Sequence, residues 1–186
     1  MPSRLYRYTG GESGQWRIVS QRPVAGTDLP SAARLHVASG NTVAPRAGSW
    51  TLRGMVSNQR YTTREEQDSL AMKQPGLGRV NASCAALIPI RKSEAWWRLA
   101  QDERRRIFED ASAHVQTGLR YLPAIARRLH HCRDLGEDEP FDFLTWFEYA
   151  PADETLFDGL VAALRATEEW RYVEREIDIR LVRESF

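Results

Sequence analysis

The sequence predicts an α+β protein built of two ferredoxin-like halves, with sheets facing one another and helices outside. Three observations carry this reading. The elements fall in the order strand, helix, strand, then two helices, then strand, strand, helix, strand, which packs most simply as two α+β units. Ser83 to Ile90 (SCAALIPI) is an unbroken apolar run of strand length, the pattern of a strand buried on both faces. Tyr172 to Val182 alternates, with Val173, Ile177, Ile179 and Leu181 on one side, as a half-buried strand does. No sequence repeat relates the halves, so the duplication rests on element order.

Taken in order, residues 1–48 are punctuated by Gly10, Gly11, Gly14, Pro23, Gly26, Pro30, Gly40, Pro45 and Gly48. Only Trp16 to Ser20 reads as a strand there, and the rest reads as loop. SWTLRGMVS, from Ser49, alternates as a strand. Thr63-Arg-Glu-Glu66 is a capping box, so a helix runs from it to about Lys73 and stops at Pro75-Gly76. Pro89 places the end of the SCAALIPI strand at an edge or bulge. Ser93 caps a short helix carrying Trp96 and Trp97, and Asp102 caps a longer one that ends near Gly118 in a left-handed cap. Arg127–Arg133 and Phe141–Tyr149 read as strands joined by the acidic loop 136–140. Asp153 or Glu154 opens a helix through about Ala166.

Composition bounds the function. The chain has 186 residues, 42% hydrophobic and 27% charged, which fits one globular domain over 1–186. No apolar run approaches the roughly 20 residues of a membrane span, and the arginine-bearing N-terminus lacks an apolar export signal, so a cytoplasmic setting without membrane partners is expected. Cys84 and Cys132 lie far apart without CxxC spacing and read as reduced packing residues. A net charge of +1 gives no general pull toward nucleic acid. The charge is divided, however. Residues 1–92 hold 13 Lys+Arg against 5 Asp+Glu and residues 93–186 hold 13 against 20, so the two halves would favour packing on each other.

The chemistry concentrates between Phe108 and Arg133. His114 lies near the end of an amphipathic helix, on the face of Ile107 and Ala111. Thirteen residues later comes Arg127, in an apolar run (Tyr121, Leu122, Ala124, Ile125, Ala126) where a permanent cation is costly unless an anion meets it. An imidazole and a guanidinium placed in this way suit a haem site, with an axial ligand on one face and a charged group on the other. A histidine on a helix face is, taken alone, more often a hydrogen-bonded core residue. A ligating one would donate its other ring nitrogen to a carboxylate, and Glu168 or Glu169 could accept; spacing does not choose between them. Arg127 could also be an outward residue of an edge strand, a role that suits Arg128 better. Trp96 and Trp97 lie about 100 degrees apart on a helix, so at most one faces a given pocket. On a strand, His130 and Cys132 share a face, but a metal there is the weaker reading.

The runs IPIRKSEAWWRLAQDERRRIFED, YLPAIARRLHHCRDLGEDEPFDFLTWFEYAP and LRATEEWRYVEREIDIRLVR resemble the chlorite dismutase family, most closely its short dimeric lineage. The resemblance is densest from about Thr51 to Val182. It implies a dimeric α+β barrel whose N-terminal half, about 1–92, is reduced and whose C-terminal half, about 93–186, binds haem b. His114 then matches the proximal iron ligand and Glu168 the glutamate bonded to it, with Glu169 as the fallback. Lys92, Trp96 and Trp97 match the proximal lysine and tryptophan pair, and Asn58, Tyr61 and Trp97 resemble groups near the propionates. Arg127 matches the distal arginine, Gln74 a distal glutamine, and Thr145 and Phe147 the distal lining. The implied activity is decomposition of chlorite to chloride and dioxygen through a ferryl/hypochlorite intermediate, in a homodimer. A haem carrier or sensor, or a coproheme decarboxylase-like protein, is the alternative within the superfamily; coproheme decarboxylases generally lack an arginine at the position of Arg127.

Overall fold

Eight antiparallel strands pair edge to edge until the last meets the first. The computed structural model describes residues 3–40, 48–56, 61–136 and 138–184. The strands are β1 (Leu5–Gly11), β2 (Trp16–Ala25), β3 (Arg34–Ser39), β4 (Gly48–Val56), β5 (Cys84–Lys92), β6 (Ala126–His131), β7 (Phe143–Tyr149) and β8 (Val173–Arg183). They run β1-β3-β2-β8-β5-β7-β6-β4, and β4 returns to β1. The two facing sheets expected from the sequence are therefore one closed barrel, which leaves no strand edge unpaired.

Side-chain alternation gives the barrel two cores. Tyr8, Leu35, Leu52, Ala85, Leu87, Leu144, Trp146, Ile177, Ile179 and Leu181 fill the interior. On the outside of β5 and β7, Ala86, Ile88, Ile90, Phe147 and Tyr149 pack under helix α5 (Glu154–Arg165). That helix presents Phe157, Leu160, Val161 and Leu164, the i, i+3, i+4, i+7 stripe of a surface helix. SCAALIPI is buried on both faces because it lies between β7 and β8 with a core on each side.

Several expectations are corrected. The first forty residues are not mostly loop: β1 and β3 are strands and β2 runs to Ala25. Residues 1–92 supply five of the eight barrel strands, β1 to β5, and one helix, α1 (Arg64–Lys73), among the described residues. Gly10 belongs to β1 because the Trp50 ring lies across it, where a Cβ would come within 2.2 Å of that ring. Pro89 sits inside the closed barrel, not at an edge; the β5–β8 ladder skips Ile88 and Pro89, where the proline has no N–H to donate. Arg128 points inward, not out, with Nε donating to His130 Nε2 at 3.1 Å and its guanidinium 3.6 Å from the Tyr6 ring centroid. Burial lowers the His130 pKa to about 4, so the ring is neutral in the core. The capping box at Thr63 is formed as read.

Among the described residues the β4–β6 seam has two residue pairs, Met55 with His131 and Val56 with His130. Close approach there depends on Gly54, whose added Cβ would lie 2.6 Å from that of His130. Gly54→Ala should cost about 1–3 kcal/mol of overpacking, read as a lower urea midpoint; an unchanged midpoint would show that the seam is looser than this.

Candidate active site

The single helix expected between Asp102 and Gly118 is broken, and the break builds the site. Helix α3 (Gln101–Arg105) begins after Ala100, whose N–H donates to Glu103, not at Asp102. It continues as a π-helical segment, Arg106–Ala111. Ala113 then adopts φ +48°, and α4 (His114–Arg120) starts afresh. His114 thus opens a helix instead of nearing the end of one, and Gly118 lies within α4. Wide π turns and left-handed non-glycine residues cost energy and concentrate at functional sites.

His114 meets a buried carboxylate. Its Nδ1 lies 2.8 Å from Glu169 Oε2, and Lys92 Nζ donates to Glu169 Oε1, also at 2.8 Å. The partner is Glu169, not Glu168. Glu169 begins the 3-10 turn Glu169–Tyr172 and is buried, whereas Glu168, one residue earlier, is exposed to solvent. Ser112, in the helix break, accepts from the Glu169 N–H at 3.0 Å. Burial alone would raise the Glu169 pKa, but His114 and Lys92 outweigh it and hold the carboxyl at about 2. Phe108 stacks on the imidazole at 4.4 Å, and Trp170 lies nearly parallel to it at 6.5 Å.

These groups face a cavity between α4, α5 and the outer surface of β5, β6 and β7, with about 1270 Å³ of empty space including its open mouth. Lys92, Trp96 and His114 line it, as do Tyr61, Thr145, Phe147 and Arg127. Most of the remaining wall is apolar, from Ile88, Ile90, Leu122, Ile125, Leu129 and Leu164 among others.

Arg127 projects from β6 into this space with no carboxylate partner among the described residues. Burial pushes its guanidinium below the usual arginine range. A cation in an apolar wall is costly unless an anion meets it. Gln74, the residue that ends α1, does not line the cavity; its amide donates to the Arg127 carbonyl at 2.8 Å. Trp97 does not line it either. It stacks on Phe143, lies 4.2 Å from Arg133 and donates to Asp142, which also accepts the Lys92 N–H. Asn58 lies outside the described residues. Phe108, Trp170, Asp142 and Ser112 were missed in the sequence; Phe108 alone left a signal, as an aromatic six residues before His114.

The residues fit a haem. Glu169 occupies Nδ1 of His114, fixing the tautomer in which Nε2 is the free ligand atom and making that atom more basic. The wall is large and apolar. Trp96, 1% exposed, lines the cavity, and its buried indole N–H has no acceptor among the described residues. No cluster of three or more His, Cys, Asp or Glu that could hold a bare metal ion occurs among the described residues.

The Glu169 carboxyl sets an acid limit. Its folded pKa is depressed from 4.5 to about 2, so the stability it contributes is present above about pH 4.5 and is lost as pH falls toward 2. That contribution is on the order of 3 kcal/mol. Urea midpoints of wild type and Glu169→Gln should differ at pH 7 and converge as the pH falls from about 4.5 toward 2; a constant difference would contradict this.

The chlorite dismutase family model matches residues 34–184. The chlorite dismutase of Ideonella dechloratans is 31% identical over 88 residues, which are 47% of this chain and 28% of that protein, so the match spans little more than a quarter of the relative. A crystal structure of dimeric chlorite dismutases from Nitrobacter winogradskyi is 56% identical, with a TM-score of 0.90 over 96% of this chain and 99% of that one. The chlorite dismutase of Candidatus Nitrospira defluvii in complex with imidazole, 19% identical with a TM-score of 0.63 over 96% and 91%, shares the fold.

Proposed function

This chain belongs to the chlorite dismutase family, and from that premise we propose that it is a haem b-dependent chlorite dismutase, converting chlorite to chloride and dioxygen. The observation that carries the proposal is one cavity holding His114, buttressed by Glu169 and Lys92, together with a half-buried arginine that no carboxylate neutralises among the described residues.

When bound, haem would supply the iron that exchanges an oxygen atom and electrons with chlorite. His114 would hold it through Nε2, with Lys92 and the Trp96 N–H at the same wall. Glu169 keeps the imidazole oriented and electron-rich through the Nδ1 bond, and Lys92 keeps Glu169 ionised at neutral pH. Arg127 draws chlorite into an apolar pocket that would otherwise exclude anions. The same charge would hold a chlorine oxyanion in the pocket and keep it from escaping to solvent. Gln74 fixes the strand carrying that arginine through its carbonyl. The apolar wall excludes water and strengthens each of these charges.

The proposal extends to a homodimer of barrels with ferredoxin-like halves, supported by the dimeric Nitrobacter relative. It also takes the setting to be cytoplasmic, in keeping with two free cysteines; among the described residues no helix is long and apolar enough to cross a membrane. An oxygen electrode tests the activity. Haem-loaded protein given chlorite should release one dioxygen and one chloride per chlorite consumed, and chlorite loss without oxygen would overturn it.

A further inference from the structure

We infer that Glu109 is a positioning residue for the axial ligand: its carboxylate caps the helix that begins with His114 and sets a negative charge behind the imidazole. This rests on the reading of His114 as haem ligand. A helix start usually carries Ser, Thr, Asp or Asn, whose side-chain oxygen takes one of the first amide N–H groups. At α4 that position is Ala113, which has no side chain able to accept.

Glu109 reaches across the break from the π-helical segment. The Val115 N–H donates to its Oε2 at 2.7 Å and the Gln116 N–H to its Oε1 at 3.4 Å. One carboxylate therefore serves two amides of the turn His114 opens. Glu109 is 9% exposed and lies outside the cavity lining, so its charge is spent on the helix and not on a ligand. The Ala113 N–H donates to the Glu109 carbonyl at 2.8 Å, which fixes the break itself.

The placement has an electrostatic consequence. The N-terminus of a helix carries partial positive charge, which beside a ligating ring would weaken it as a donor. Glu109 offsets that charge from the backbone side, while Glu169 acts at Nδ1. Ser112 ties the break to the turn bearing Glu169 by accepting the Glu169 N–H, which links the elements that carry the two carboxylates and the imidazole.

Two measurements on the full chain test this. In haem-free protein, Glu109→Ala should speed hydrogen exchange at the Val115 and Gln116 amides tenfold or more and leave the β5 amides unchanged. In haem-loaded protein, Glu109→Gln keeps an acceptor oxygen but loses the charge, so haem should bind at wild-type stoichiometry while the midpoint potential of the iron moves positive. Unchanged exchange at both amides would overturn the cap, and an unchanged midpoint would overturn the electrostatic role. Should Glu109→Ala not fold, exchange in Glu109→Gln decides, because an amide oxygen replaces only one of two acceptors. A wild-type chain that binds no haem would sink the haem reading, while the exchange result would still settle the cap.

Discussion

His114→Ala is expected to strip the protein of its haem. The variant removes a cavity imidazole whose second nitrogen is held by a buried carboxylate, and it leaves Glu169 and Lys92 paired behind an empty wall. Losing a supporting group in such a site typically costs about 10–100-fold in affinity, and losing the ligand itself should cost about a hundredfold or more. An absorbance titration reads this directly: wild type should develop a Soret band that saturates at one haem per chain, and the variant should not. Free imidazole added to the variant should restore part of the band, because the truncation leaves room for it. A variant that binds haem as tightly as wild type would place the ligand elsewhere.

Arg127→Ala should do the reverse, keeping the haem and losing the chemistry. Its guanidinium lines the same cavity as His114 and makes no ion pair among the described residues, so folding and the Soret band should survive. Oxygen release should fall by about 10²–10³, the usual effect of deleting a preorganised charge-stabilising group. Bleaching per turnover should rise, since hypochlorite no longer held by the cation can attack the porphyrin. Arg127→Lys should fall between, retaining charge without the two-pronged geometry. Oxygen-electrode traces recorded with the Soret decay test both parts. Unimpaired turnover with unchanged bleaching would remove Arg127 from the mechanism.

The site was legible where local patterns carry information. The apolar run of β5 and the helix through Ala166 placed two of the walls, the capping box at Thr63 placed α1, and the isolated cation in an apolar segment marked Arg127. What failed was set by contacts distant in sequence. Gly10 reads as a loop signal until Trp50, forty residues away, is laid across it. The break before His114 is held by Glu109 and Ser112 through bonds to α4 and to the turn at Glu169, none visible in a helical periodicity. The choice between Glu168 and Glu169 turned on a four-residue 3-10 turn, too short to announce which of two adjacent carboxylates faces inward. The inward aim of Arg128 depends on barrel closure, which only the pairing of β4 with both β1 and β6 produces.

Resonance Raman spectroscopy of the ferrous, haem-loaded protein tests the central claim most directly, because the iron–imidazole stretching band reports the ligand and its hydrogen bond together. The band should be present in wild type, fall to lower frequency in Glu169→Gln as the imidazole loses anionic character, and vanish in His114→Ala. A band that persists unshifted in both variants would show that another residue holds the iron.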